Sequence, residues 1–104
     1  MRRTKIINRI TRELERVAPD AEKILYGSEA RGDASPDSDI DLLILVEGEK
    51  ITIAQEEEIT TPLYRIELET GIPIHPIVMS KRNWYNRPFK TPFYINVMNE
   101  GIML

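Results

Sequence analysis

Two aspartates, Asp39 and Asp41, stand one residue apart at the head of the run "DIDLLILV", residues 39–46. In an extended strand, residues i and i+2 project to the same side. Both carboxylates therefore share one face, about 7 Å apart at Cα for a rise of about 3.3 Å per residue. Two unpaired carboxylates so placed repel each other, and a divalent cation removes that cost. Mg²⁺ takes carboxylate oxygens together with substrate phosphate oxygens, and two metals about 3.5–4 Å apart can bridge such a pair. Taken alone, the same pattern also describes a strand end where both acids meet water.

Ser28 lies eleven residues before Asp39, directly after Gly27. A glycine that ends a strand and is followed by Ser28 and "EAR" implies a tight turn into a short helix. Glycine lets the backbone approach a ligand closely, and the N–H groups at a helix start favour phosphate. The Ser28 hydroxyl either bonds a phosphate oxygen or caps the helix. Gly27 to Gly32 has the glycine spacing of a P-loop, but Asp33-Ala34 follows where Lys and then Ser or Thr are required. A P-loop is excluded.

Joined together, Gly27-Ser28, Arg31-Gly32-Asp33 and Ser38-Asp39-Ile40-Asp41 before an apolar strand resemble the signature of the DNA polymerase β-like nucleotidyltransferase superfamily. They are most similar to its small branch, the minimal nucleotidyltransferases. The resemblance implies that Asp39 and Asp41 bind Mg²⁺ and are catalytic, and that Gly27 and Ser28 hold the triphosphate of an incoming nucleotide, ATP or another NTP. Arg31 resembles the family arginine, which either neutralises phosphate or braces the loop through Asp33 or Asp37. The C-terminal "W", "TPFY" and "EGI" are similar in placement to those of a bacterial subgroup. The activity implied is transfer of a nucleoside monophosphate, AMP above all, to a hydroxyl acceptor. The implied setting is a toxin–antitoxin pair, in which this chain is the antitoxin of a helical HEPN-type partner. The alternative is a catalytically weak or inactive module of this fold that neutralises the partner by contact.

The fuller family site has a third carboxylate on a later strand, and this chain departs from it. The matching segment, "GIPIHPIVMS", contains no Asp or Glu. Pro73 or His75 stands about where the acid belongs, and the nearest upstream acids, Glu67 and Glu69, fall in a helical segment. His75 is the candidate replacement, as base or weak ligand, because an imidazole both binds metals and titrates near neutral pH. A histidine in a strand is also often satisfied by its own neighbours. A partner or substrate that completes the site is the remaining possibility.

These residues need elements to hold them. Ile6, Ile7, Ile10, Leu14, Val17 and Ala18 mark one face of an amphipathic helix that Pro19-Asp20 ends. "EKILYG" reads as a short strand, and residues 28–38 have turn chemistry. "IDLLILV" reads as a central strand covered on both faces. Thr52 caps a helix running to Thr70-Gly71 with Ile59, Leu63 and Ile66 buried, and Pro62 is expected to kink or break it near Thr61. Pro73 and Pro76 put the third strand at an edge or on a bulge. Ser80 caps a short helix, and Thr91-Pro92 starts a last one that docks through Phe93/Val97 and Tyr94/Met98. The order α-β-α-β-α-β-α gives a mixed α/β fold of the α+β kind, with a small sheet of three to four strands flanked by helices.

The 104 residues make one domain, 1–104, of 41% apolar composition and net charge -3. That charge gives no nucleic-acid footprint over the whole surface. The basic and aromatic residues at 82–94 resemble a single-strand stacking surface, but read better as a packing segment with a basic rim. There is no cysteine, so disulfides and thiolate metal sites are excluded. The start lacks the apolar stretch of a signal peptide or membrane span. A cytoplasmic protein is expected, and an exposed half-site on so small a domain suggests a homo-oligomer or complex.

Overall fold

The computed structural model describes residues 2–104. The amphipathic start forms α1 (Arg2–Val17), with Ile6, Ile10 and Leu14 buried at four-residue steps. There follow β1 (Glu22–Tyr26), the one-turn helix α2 (Ser28–Arg31), β2 (Ile40–Val46), α3 (Ile53–Thr70) and β3 (Ile74–Ser80). The chain closes with α4 (Lys81–Tyr85), α5 (Pro92–Glu100) and β4 (Ile102–Met103). The strands form one mixed sheet in the order β3-β2-β1-β4. β2 and β3 run parallel, and β1 is antiparallel to both β2 and β4. No helix among the described residues is long and apolar enough to cross a membrane.

As its unbroken apolar run requires, β2 is covered on both faces. Ile40, Leu42, Ile44 and Val46 pack toward α1 and α3, while Leu43 and Leu45 pack toward Trp84 of α4 and Val97 of α5. Burying each such side chain contributes about 1.5–3 kcal/mol, so β2 is a fixed base for the acids at its head. By the period of two, Asp41 shares the α4/α5 face with Leu43 and Leu45.

The expected caps are present. The side-chain oxygens of Thr52, Ser80 and Thr91 accept from the N–H groups of Gln55, Asn83 and Tyr94, at 3.1, 3.2 and 3.1 Å. β3 is an edge strand, as its prolines require. Its entry is held twice: the Ile40 N–H donates to the Pro73 carbonyl at 2.9 Å, and the Ile74 N–H donates to Glu67 Oε1 at 2.7 Å.

Three expectations change. Pro62 does not break α3, which continues from Ile53 to Thr70. Pro62 is itself buried with Ile59, Leu63 and Ile66, and that packing offsets a penalty of about 3 kcal/mol for the lost helical bond and the ring's clash with the preceding turn. Both expected C-terminal helices form, but the order gains a fourth strand, because Ile102-Met103 pairs with Ile24-Leu25. Gly101 permits the pairing: a Cβ there would lie 2.5 Å from the Val97 carbonyl oxygen and 2.6 Å from Ile24 Cγ2. Finally, α5 docks through Val97 and the rings of Phe93 and Tyr94 against Trp84, while Met98 stays exposed.

Candidate active site

Asp39 and Asp41 converge at the head of β2, on the side covered by α5. Asp41 is in register with Tyr26 on β1 and with His75 on β3. His75 Nδ1 lies 3.3 Å from Asp39 Oδ2 and 3.8 Å from Asp41 Oδ1, so the imidazole stands between both carboxylates at ion-pair distance. Its side chain is 61% exposed, against 41% and 29% for Asp39 and Asp41. The imidazole therefore forms the open wall of the site. Burial raises the Asp41 carboxyl above its usual pKa, and the Asp39 charge adds to this, while His75 and Arg31 pull it back down. Burial, with the Asp41 charge adding, pushes Tyr26 up to about 12. The Tyr26 ring meets Phe93 edge-on at 5.4 Å, closing the site toward α5.

Gly27 adopts φ 76° and ψ -155° at the start of α2, a region that essentially only glycine occupies. A Cβ on Gly27 would lie 2.5 Å from Asp41 Oδ2. The turn and the carboxylate thus touch through the space a side chain would fill. Gly27 is the N-cap and makes no side-chain cap bond, and Ser28 is the first helical residue. The capping alternative for Ser28 is thereby removed, because its hydroxyl sits inside the first turn rather than before it. The N–H groups of this first turn have no carbonyl ahead of them within the helix.

Arg31 pairs with Asp33, one of the two acids expected, and with one further partner. Its guanidinium reaches Asp33 and Glu100, each at 3.3 Å, and not Asp37. Asp37 lies in a separate turn, in which the Ser38 N–H donates to the Ser35 carbonyl at 3.1 Å and the Ser35 N–H donates to Ser38 Oγ at 2.8 Å. The upstream acids are used elsewhere, Glu67 on the Ile74 N–H and Glu69 in an ion pair with Arg9. No carboxylate on β3 joins Asp39 and Asp41, and among the described residues no group of three or more His, Cys, Asp and Glu is arranged to hold a metal ion. Trp84 is fully buried, with Arg87 4.8 Å above its ring, so it offers no face to a base.

Sequence reasoning missed Arg3. It is nine-tenths buried and contacts Glu29 on α2 and the carbonyls of Pro36 and Ser38. One signal was available: the first turn of α1 carries no acid, so a basic residue there opposes the helix dipole and needs another purpose.

A model of the nucleotidyltransferase domain matches residues 5–103 of this chain. The chain belongs to the nucleotidyltransferase domain family. Two relatives from Methanocaldococcus jannaschii, each carrying the name "putative protein adenylyltransferase", agree with this. One is 39% identical over 79 residues, covering 76% of this chain and 73% of the relative. The other is 36% identical over 81 residues, covering 78% and 74%. A crystal structure of a protein from Sulfolobus solfataricus, described as a "putative nucleotidyltransferase", superposes with a TM-score of 0.58. That match is 20% identical and covers 95% of this chain and 76% of that one, so it shows a shared fold. This nucleotidyltransferase thus carries the resemblance read from its glycine–serine turn and paired aspartates through nearly the whole chain.

Proposed function

We propose that this nucleotidyltransferase moves AMP from ATP to a hydroxyl of an acceptor protein, with Mg²⁺ held by Asp39 and Asp41. The observation that carries the reading is the meeting of two same-face carboxylates with a glycine turn too close to admit a side chain. The donor set fits the ion, because Mg²⁺ takes one or two carboxylates and completes its shell with water and substrate phosphates. Bound there, it supplies charge neutralisation on the triphosphate and the α-phosphoryl group.

The chain's own residues do the rest. Gly27 lets the β- and γ-phosphates approach the backbone, with the Ser28 hydroxyl and the first N–H groups of α2 as donors. Arg31 turns from Glu100 to phosphate. The acceptor oxygen bonds to the α-phosphorus, the bond to the bridging oxygen breaks, and pyrophosphate leaves with the electron pair. The hydroxyl proton passes to the His75 nitrogen turned away from the carboxylates, the ring being oriented by its Nδ1 lying 3.3 Å from Asp39 Oδ2.

The names of the two archaeal relatives support AMP as the group and protein as the acceptor. Exposed Ile95, Met98, Ile102 and Met103 on α5 and β4 support a macromolecular partner, and the minimal nucleotidyltransferase resemblance makes it a HEPN-type toxin. The test is incubation with a HEPN partner, Mg²⁺ and labelled ATP, beside a variant carrying Asp39→Asn and Asp41→Asn. Label on the partner from the intact chain alone is the expected result. Tight binding by both proteins with no label would replace transfer by neutralisation through contact.

A further inference from the structure

We propose that Arg3 is a positioning residue for nucleotidyl transfer, one that fixes the Asp39 carboxylate relative to the Gly27-Ser28 turn. This rests on reading those two features as the metal–triphosphate site. The Arg3 guanidinium uses three nitrogens on two parts of that site. Nε meets Glu29 Oε2 on α2 at 2.8 Å, Nη1 donates to the Pro36 carbonyl at 3.3 Å, and Nη2 donates to the Ser38 carbonyl.

The Ser38 contact is the informative one. Its carbonyl belongs to the peptide plane just before the Asp39 Cα. The plane just after Asp39 is held through the Ile40 N–H, which donates to the Pro73 carbonyl. Asp39 precedes β2 and has no ladder of its own, so these two pins set its φ and ψ and with them the aim of its carboxylate. Glu29 follows Ser28 directly. One guanidinium therefore sets the gap between the phosphate turn and the first acid. The side chains of Arg3 and Glu29 are only 11% and 10% exposed, so water does not compete for the fork. A lysine in its place keeps the charge opposite Glu29 but cannot reach three acceptors in one plane.

The experiment compares the wild type, Arg3→Lys, Arg3→Ala and, as control on the same helix, Arg9→Ala. Each is titrated with Mn²⁺ and ATP below its own melting temperature, following the free-Mn²⁺ electron spin resonance signal and, separately, the rise in melting temperature with MgATP. The expected result is a midpoint raised roughly ten- to a hundred-fold for Arg3→Lys and Arg3→Ala, the scale of losing a group that orients a metal ligand, and unchanged for Arg9→Ala. If Arg3→Ala does not fold, Arg3→Lys carries the comparison. A residue needed only for folding lowers the melting temperature without moving the Mn²⁺ midpoint, and that outcome overturns the proposal. No Mn²⁺–ATP binding by the wild type overturns instead the reading of the site on which it rests.

Discussion

Replacing Gly27 by alanine tests the contact between the Gly27-Ser28 turn and Asp41. Two separable costs follow from the structure. The backbone at φ 76° and ψ -155° is strained for any L side chain by about 1–3 kcal/mol. The new Cβ also meets Asp41 Oδ2 at 2.5 Å and Cγ at 3.4 Å, so the carboxylate must swing out of its place beside His75. Gly32→Ala supplies the control, since Gly32 has φ 83° with nothing within 4 Å of an added Cβ. That variant carries a backbone penalty of about 1–2 kcal/mol and no contact. For a domain of this size each kcal/mol moves the melting temperature by roughly 4–8 °C, so Gly27→Ala loses roughly 4–24 °C. The assay is thermal melting with and without MgATP, because a ligand that binds only the folded state adds about 2.7 kcal/mol at a hundred times its Kd. Gly32→Ala keeps that rise, whereas Gly27→Ala loses it or needs at least about tenfold more MgATP, a difference of about 1.4 kcal/mol. A Gly27→Ala protein that melts like Gly32→Ala and responds to MgATP like the wild type would refute the reasoning.

Other outcomes follow from the same geometry. Asp39→Asn and Asp41→Asn each abolish the MgATP-dependent rise in melting temperature. Asp41→Asn also raises the melting temperature without ligand at neutral pH, because burial disfavours its ionised form. Glu100→Gln removes a competitor for Arg31, so it tightens MgATP binding with the melting temperature unchanged. Tyr26 and Tyr85 are both held up to about 12, chiefly by burial. Below pH 10 the phenols are protonated in both folded and unfolded chains; between about pH 10 and 12 only the unfolded chain gives up these protons, so stability falls across that window. Urea unfolding at stepped pH records the fall, and Tyr26→Phe and Tyr85→Phe each remove one late-titrating phenol from the ultraviolet titration.

What could be read from the sequence was local chemistry. A D-x-D pair at a strand head, a glycine turn after a short strand, and three N-caps depend on residues a few positions apart, and each appears where its spacing puts it. The resemblance put Pro73 or His75 about where a third acid belongs, and the parallel pairing of β3 with β2 sets His75 in register with Asp41. The hidden parts are contacts between segments far apart in the chain. Arg3 meets Glu29 and Ser38 across 26 and 35 positions, and Arg31 meets Glu100 across 69. Nothing near Arg3 distinguishes it from a solvated cation except its disfavoured place in the helix. β4 escaped because two residues are too short to show a period, and Pro62 misled because its own burial outweighs its missing donor.

The rim of the sheet at β3 has a consequence for solubility. Ile40 donates to Pro73 and Ile74 turns its N–H away to Glu67, so the backbone N–H positions of the even-numbered residues of β3 point away from β2, Pro76 among them. The first outward donor is occupied by a side chain and the second does not exist. A strand from another molecule thus finds the first two donor positions of this edge missing, which weakens pairing at the end of β3 that carries His75. The protection comes from a ring and a carboxylate rather than from a covering helix. His75 thus stays exposed beside the stretch of edge where those two donors are missing.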